Sequence, residues 1–177
     1  MKLKSSHFVL LAALLLGCNM AHGQDTLGAK PKKARTSADY KPRTLKVIAA
    51  PERYADGRGN KEETVRVTAD ILPSRVRVTY TGLSRPLPQI KKEVVHQWAR
   101  LYAGSTESYT EPYDTEMLFT EDRAEYWLAV RKKALPQVRQ ELKQGELVDL
   151  YLIRVGAARA SGKWEPMLLI ESFQKPR

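Results

Sequence analysis

The chain has 177 residues, with 30 Lys and Arg against 20 Asp and Glu, a formal charge of +10, three histidines and one cysteine. A single cysteine excludes an intrachain disulfide, and so few His and Cys residues argue against a zinc cluster of the usual kind. The length fits one domain, large enough to be held by packing alone.

Residues 1–23 read as a signal peptide. Lys2 and Lys4 supply the positive start, and Phe8 to Leu16 is an apolar run too short to span a bilayer but suited to an export signal. Leu15-Leu16-Gly17-Cys18 has the form of a lipobox, which makes Cys18 the lipid attachment residue, whereas Ala21-His22-Gly23 before Gln24 suits ordinary signal-peptidase cleavage. The polar stretch after Cys18 favours the lipoprotein reading, and both stay open. The localisation expected is periplasmic or lipid-anchored at the membrane, with secretion the lesser alternative.

Residues 24–43 read as a disordered basic linker. From Gln24 to Lys46 there are seven basic residues against two acidic ones, in Pro- and Lys-rich sequence with little apolar content to order it. Such a tail suits an anionic envelope polymer, or the membrane surface if Cys18 is lipidated. A solvated spacer is the plainer reading.

Residues 44–177 read as one β-rich globular domain. Thr44 to Ala49 suggests a short strand, and Asp56-Gly57-Arg58-Gly59-Asn60 a turn-rich loop. Val65, Val67, Ala69 and Ile71 alternate with polar residues, as do Val76, Val78 and Tyr80, so residues 62–82 predict an antiparallel hairpin around Pro73-Ser74. From Pro88 the period changes to that of a helix, with Ile90, Val94, Trp98 and Leu101 on one stripe and Gly104 as its stop. After a polar loop at 105–115, residues 116–120 and 124–130 predict a second hairpin around Glu121-Asp122-Arg123. Leu135, Val138 and Leu142 predict a short helix ended by Gly145. Residues 146–158 and 164–173 predict a long hairpin, apolar on both faces and therefore central. The fold class expected is α+β, a mostly antiparallel sheet or small barrel with two helices. An OB-like barrel is one form of it, because a helix falls between the third and fourth predicted strands.

Gly145 to Gly156 and Trp164 to Phe173, with Tyr126-Trp127-Leu128 upstream, resemble the closing part of a group of uncharacterised exported bacterial proteins. The resemblance covers about the last third of the chain, rests on hydrophobic positions, and implies a fold without an activity.

Chemistry is sparse. His96 lies opposite the apolar stripe of its helix and faces solvent, and Glu93-x-x-His96 has no second copy to complete a di-metal site. There is no Gly-x-Ser-x-Gly elbow and no phosphate-cradling loop, so no catalytic residue, metal site or cofactor is expected. Carboxylates crowd residues 107–125 beside aromatics, and Glu121, Asp122, Glu125 and Trp127 are the candidate ligand-binding residues of that stretch. Arg66, Arg75 and Arg77 with Thr79 and Thr81 can present a basic sheet face, but no aromatics interleave it for base stacking, so nucleic acid is disfavoured. The functional expectation is an exported, non-enzymatic envelope protein or lipoprotein that acts by binding a protein or polymer. The alternative is a small secreted glycan-acting hydrolase or glycan-binding module using residues 107–127, which leaves enzymatic activity open.

Overall fold

The two most apolar segments pair as their composition predicts, and the rest of the domain is assembled around that hairpin. The structure, a computed structural model, describes residues 35–50, 64–103, 113–160 and 162–176. Its strands are β1 (Lys41–Pro42), β2 (Val65–Val67), β3 (Ser74–Pro86), β4 (Tyr113–Glu121), β5 (Ala124–Arg131), β6 (Leu147–Ala160) and β7 (Lys163–Gln174). Its helices are α1 (Leu45–Ile48), α2 (Gln89–Trp98) and α3 (Leu135–Glu141). The sheet order is β1-β3-β4-β5-β7-β6-β2, and β3 also pairs with β6. That extra pairing closes the ring β3-β4-β5-β7-β6, a five-stranded barrel with β1 and β2 as extensions. The fold is α+β and mostly antiparallel; β1 with β3 and β5 with β7 run parallel.

Ring closure depends on β3 serving two neighbours. Ser74 to Thr79 pair with β6, Thr79 to Pro86 pair with β4, and the register breaks between Tyr80 and Ser84. Gly82, at φ +83°, lies in that break and lets the strand bend from one partner to the other. Inside the barrel, Val76, Val78, Met117, Phe119, Leu150 and Leu168 are all buried, and Leu45 and Ile48 of α1 with Val138 of α3 and Leu142 just after it complete this core. A second core lies outside the wall. There α2 packs Val94, Val95 and Trp98 together with Ile153, Val155, Met167 and Leu169. Strands β6 and β7 are thus covered on both faces, which is why their sequences lack polar alternation.

Several expectations change. Thr44 to Ala49 is not a strand: the Thr44 hydroxyl accepts from the Val47 N–H as an N-cap, and Leu45 and Ile48, three apart, are both fully buried as one face of α1. Residues 62–82 are not a hairpin. β2 and β3 both run antiparallel to β6, one after the other, with Ile71 O accepting from Arg154 N between them. Alternation marks each strand correctly but carries no information on its partner, and β6 is long enough to take both.

The buried stripe of α2 is Lys91, Val94, Val95 and Trp98. Leu101 is 58% exposed, because the helix widens into a π-type turn over Ala99–Ala103 and rotates it off the face. The helix between the third and fourth strands of the ring is α3, whereas the OB comparison made from sequence used α2. The five-stranded closure and a helix at that place still agree with an OB-like barrel. The hairpin at 116–130, the short helix at 135–142 and the 146–173 hairpin are all present, with β4 starting at Tyr113 inside the expected loop.

The compact unit that holds the barrel begins at Arg35, ahead of the expected boundary at Thr44. Arg35 Nη1 lies 2.8 Å from both Glu171 carboxylate oxygens, the Tyr40 hydroxyl donates to Glu171, Tyr40 stacks edge-on against Tyr151 at 5.3 Å, and β1 pairs with β3. The basic segment up to Arg43 is therefore partly structural. The expected signal segment with Cys18, the expected turn at 56–60, Gly104 and the first carboxylates of the 107–125 stretch lie outside the described residues.

Candidate functional site

The parallel pairing of β5 with β7 is confined to Ala129 opposite Leu169 and Val130 opposite Ile170. Towards the N-terminal ends of both strands the ladder stops, and a cleft of about 300 Å³ lies there. Trp127, Tyr126 and Pro166 give it apolar walls, while Arg85, Lys91, Glu125 and Glu165 bring charge to it.

The charges are organised by Glu116. Strand register sets Glu116 of β4 opposite both Arg85 of β3 and Ala129 of β5. Its side chain is buried, and each oxygen accepts from a different cation: Arg85 Nε at 2.5 Å and Lys91 Nζ at 3.0 Å. Lys91 is itself 3% exposed and reaches a second carboxylate, Glu165, at 3.2 Å. A charge removed from water in this way is tolerable only when paired and hydrogen-bonded on every side, as Lys91 and Glu116 are. The guanidinium of Arg85 also lies over the Trp127 ring, 4.0 Å from its centroid, in cation–π geometry. Arginine and indole are thereby fixed against each other on the cleft wall.

The expected quartet is divided. Glu125 and Trp127 line the cleft. Asp122 sits in the two-residue turn between β4 and β5 at φ 49°, exposed, and Glu121 accepts from the Lys46 N–H on α1. Burial and the neighbouring Glu121 and Asp122 charges raise the Tyr126 hydroxyl pKa. Glu125 has no ion-pair or hydrogen-bond partner among the described residues. His96 is exposed, and among the described residues no group of three or more His, Cys, Asp or Glu side chains is placed to hold a metal ion.

Arg85, Lys91, Glu116 and Glu165 were not legible as a site. One signal was available: Lys91 occupies a position three, four and seven residues before Val94, Val95 and Trp98, so a lysine sits on the buried stripe of an amphipathic helix. The pairing of Glu116 with Arg85 depends on the register of two strands far apart in sequence and has no local signature.

The class that fold and site define is a closed five-stranded barrel with a charged and aromatic cleft in its wall. No protein-family model, no curated protein and no solved structure matches the chain.

Proposed function

We propose that the chain is an exported, non-enzymatic binding protein of the bacterial envelope, anchored through Cys18 or released at Gln24, and that the β5/β7 cleft takes a sugar ring of an envelope glycan. The observation that carries this reading is Arg85, pinned by Glu116 over Trp127: a fixed multi-donor group beside an aromatic wall suits a polar ring with one apolar face. The cleft's volume is at the small end for ligand sites, enough for a ring-sized unit. OB-like barrels bind oligosaccharides at the face of their second and third strands, which supports the reading by analogy of fold, since Glu116 and Trp127 are on the second and third strands of this ring.

Hydrolysis is the weaker alternative. It needs two carboxylates facing one scissile bond, and here Glu165 and Glu116 are engaged by Lys91 and Arg85, while Glu121 and Asp122 lie away from the cleft. Glu125 is left as the cleft's uncommitted carboxylate. The export part of the reading rests on the signal-like N-terminus. Among the described residues no helix is long and apolar enough to cross a membrane.

The test is co-sedimentation with purified peptidoglycan sacculi, comparing wild type with Trp127→Ala. Retention of the wild type and at least tenfold weaker retention of the variant are expected. Absence of binding by wild type, or equal binding by both, overturns the glycan reading. Intact mass after expression with the native leader, beside Cys18→Ala, reads anchoring separately: a lipid-modified species starting at Cys18 or a species starting at Gln24 supports export, and an unprocessed chain sinks it.

A further inference from the structure

A second recess lies outside the cleft and, unlike it, has a surplus of positive charge in its lining. It measures about 510 Å³ and is bordered by Arg75, Arg77 and Lys175 with Asp149 as its one carboxylate. A neighbouring recess of about 280 Å³, bordered by Arg35, shares Ser37, Tyr151 and Gln174 with it, so the two adjoin, and the larger forms a groove beside Ser37 and Ala38. Three cations against one carboxylate line this groove, whereas the lining of the β5/β7 cleft is balanced at two against two; Arg35, on the smaller recess, is already held by both oxygens of Glu171.

The groove's single carboxylate is already committed. Asp149 accepts from Arg77 Nε at 2.7 Å and Nη2 at 2.9 Å, a two-point contact that fixes the Arg77 guanidinium in the groove. Arg75, two residues earlier on the same exposed face of β3, has no hydrogen bond or ion pair through its side chain among the described residues. Two residues of strand separate charges by about 7 Å, a spacing that an extended anionic chain can follow. Lys175 is half exposed and pairs with Glu146 at 3.2 Å, an exposed contact that a stronger anion displaces readily.

We propose that this groove is a binding site for a linear phosphate-bearing polyanion without bases. Charge complementarity gives the class of ligand, and the concave shape fits a chain better than a flat bilayer. Nucleic acid is disfavoured by the aromatics: Tyr40 and Tyr151 stack on each other and are 8% and 6% exposed, so neither offers a face for a base. The third arginine of the basic pattern, Arg66, lies over Trp164 at 5.0 Å and does not line the groove.

The experiment is titration of the full chain with inorganic polyphosphate at several salt concentrations. Three variants are compared with wild type: Arg75→Gln with Lys175→Gln, Lys30, Lys32 and Lys33→Ala together, and Glu125→Gln in the cleft. The first is expected to weaken binding at least tenfold and to flatten the log affinity against log salt slope by about one to two. The tail variant is expected to lose less than threefold, and Glu125→Gln nothing. Both groove positions are exposed, so an unchanged thermal melt accompanies the loss. Loss of binding in the tail variant alone, tighter binding of oligothymidylate than of polyphosphate at equal charge, or full competition by anionic vesicles each overturns the assignment.

Discussion

Two arginines on the barrel wall show how placement decides the role of a side chain. Arg77 is exposed and donates to Asp149, and that hydrogen bond is the main reason the Asp149 carboxyl lies below its usual value, with partial burial opposing it and the Arg77 and Arg75 charges adding to it. A carboxylate depressed in the folded state contributes stability that is complete above its unfolded value of about 3.9 and is lost as pH falls through the lower folded value. In Arg77→Ala the Asp149 midpoint, followed by carboxyl NMR, is expected to rise toward the ordinary range, and the stability deficit of the variant to shrink at acid pH. An unmoved midpoint would show that the hydrogen bond has no such effect. Arg154 is the opposite case. It is 5% exposed, its Nη2 reaches the Asp70 carboxylate at 3.4 Å and the Asp70 carbonyl at 3.5 Å, and its Nε and Nη1 find no partner among the described residues. Replacing a poorly paired buried cation with an apolar side chain of similar length is expected to be stabilising, by about 1–3 kcal/mol for Arg154→Met in urea unfolding. A loss of stability would show that Arg154 is better satisfied than its geometry indicates.

At the scale of elements, turns and strands whose chemistry is local were readable, and pairings were not. The β4–β5 turn was placed correctly at Glu121-Asp122-Arg123 because charged and turn-forming residues interrupt two apolar runs. Glu121 pairs with Ala124, and both central residues, Asp122 and Arg123, have positive φ at 49° and 69°, the signature of a type I′ hairpin turn. Arginine is a poor choice there, since a side chain in the left-handed region costs about 1–2 kcal/mol, part of which glycine gives back through a freer unfolded chain. Arg123→Gly is accordingly expected to stabilise the protein by about 0.5–1 kcal/mol in denaturant unfolding; destabilisation would mean the arginine holds a contact of greater value. By contrast, nothing near Val65 or Val76 says that both strands lie along β6. One cause is visible at Gly156, where an added Cβ would lie 2.1 Å from the Arg66 carbonyl oxygen and 2.8 Å from Val94 Cγ1. A glycine in an apolar strand lets β2 and α2 approach β6 there, and in the sequence it reads only as a weak point in a strand. The site was half legible for the same reason: Glu125 and Trp127 are strand neighbours on β5, whereas Arg85, Lys91, Glu116 and Glu165 meet through register and helix docking.

For the molecule as a whole, the start of the folded unit is the boundary with the largest consequence, because the segment at that start serves three parts of the structure together. Arg35 and Tyr40 converge on Glu171 of β7, β1 extends the sheet beside β3, and Leu45 and Ile48 enter the barrel core. Basic residues and prolines make Lys30 to Arg43 look like a tether, and a composition average hides the one aromatic, Tyr40, that is 8% exposed in the second core. Burial of Tyr40 also raises its hydroxyl pKa, with the hydrogen bond to Glu171 acting in the same direction, so it remains the proton donor of that contact across the neutral range. A chain beginning at Arg35 is expected to match the longer protein in urea unfolding to within about 0.5 kcal/mol, since its deletions fall before the unit. A chain beginning at Thr44 loses the buried tyrosine, the ion pair and the β1 pairing together, and is expected to be less stable by about 3–5 kcal/mol, the range for removing a large buried aromatic. Equal midpoints for the two chains would return residues 35–43 to the tether and remove the roof of the polyanion groove; the expected gap makes that segment the part of the barrel through which anything attached upstream is mechanically connected to the sheet.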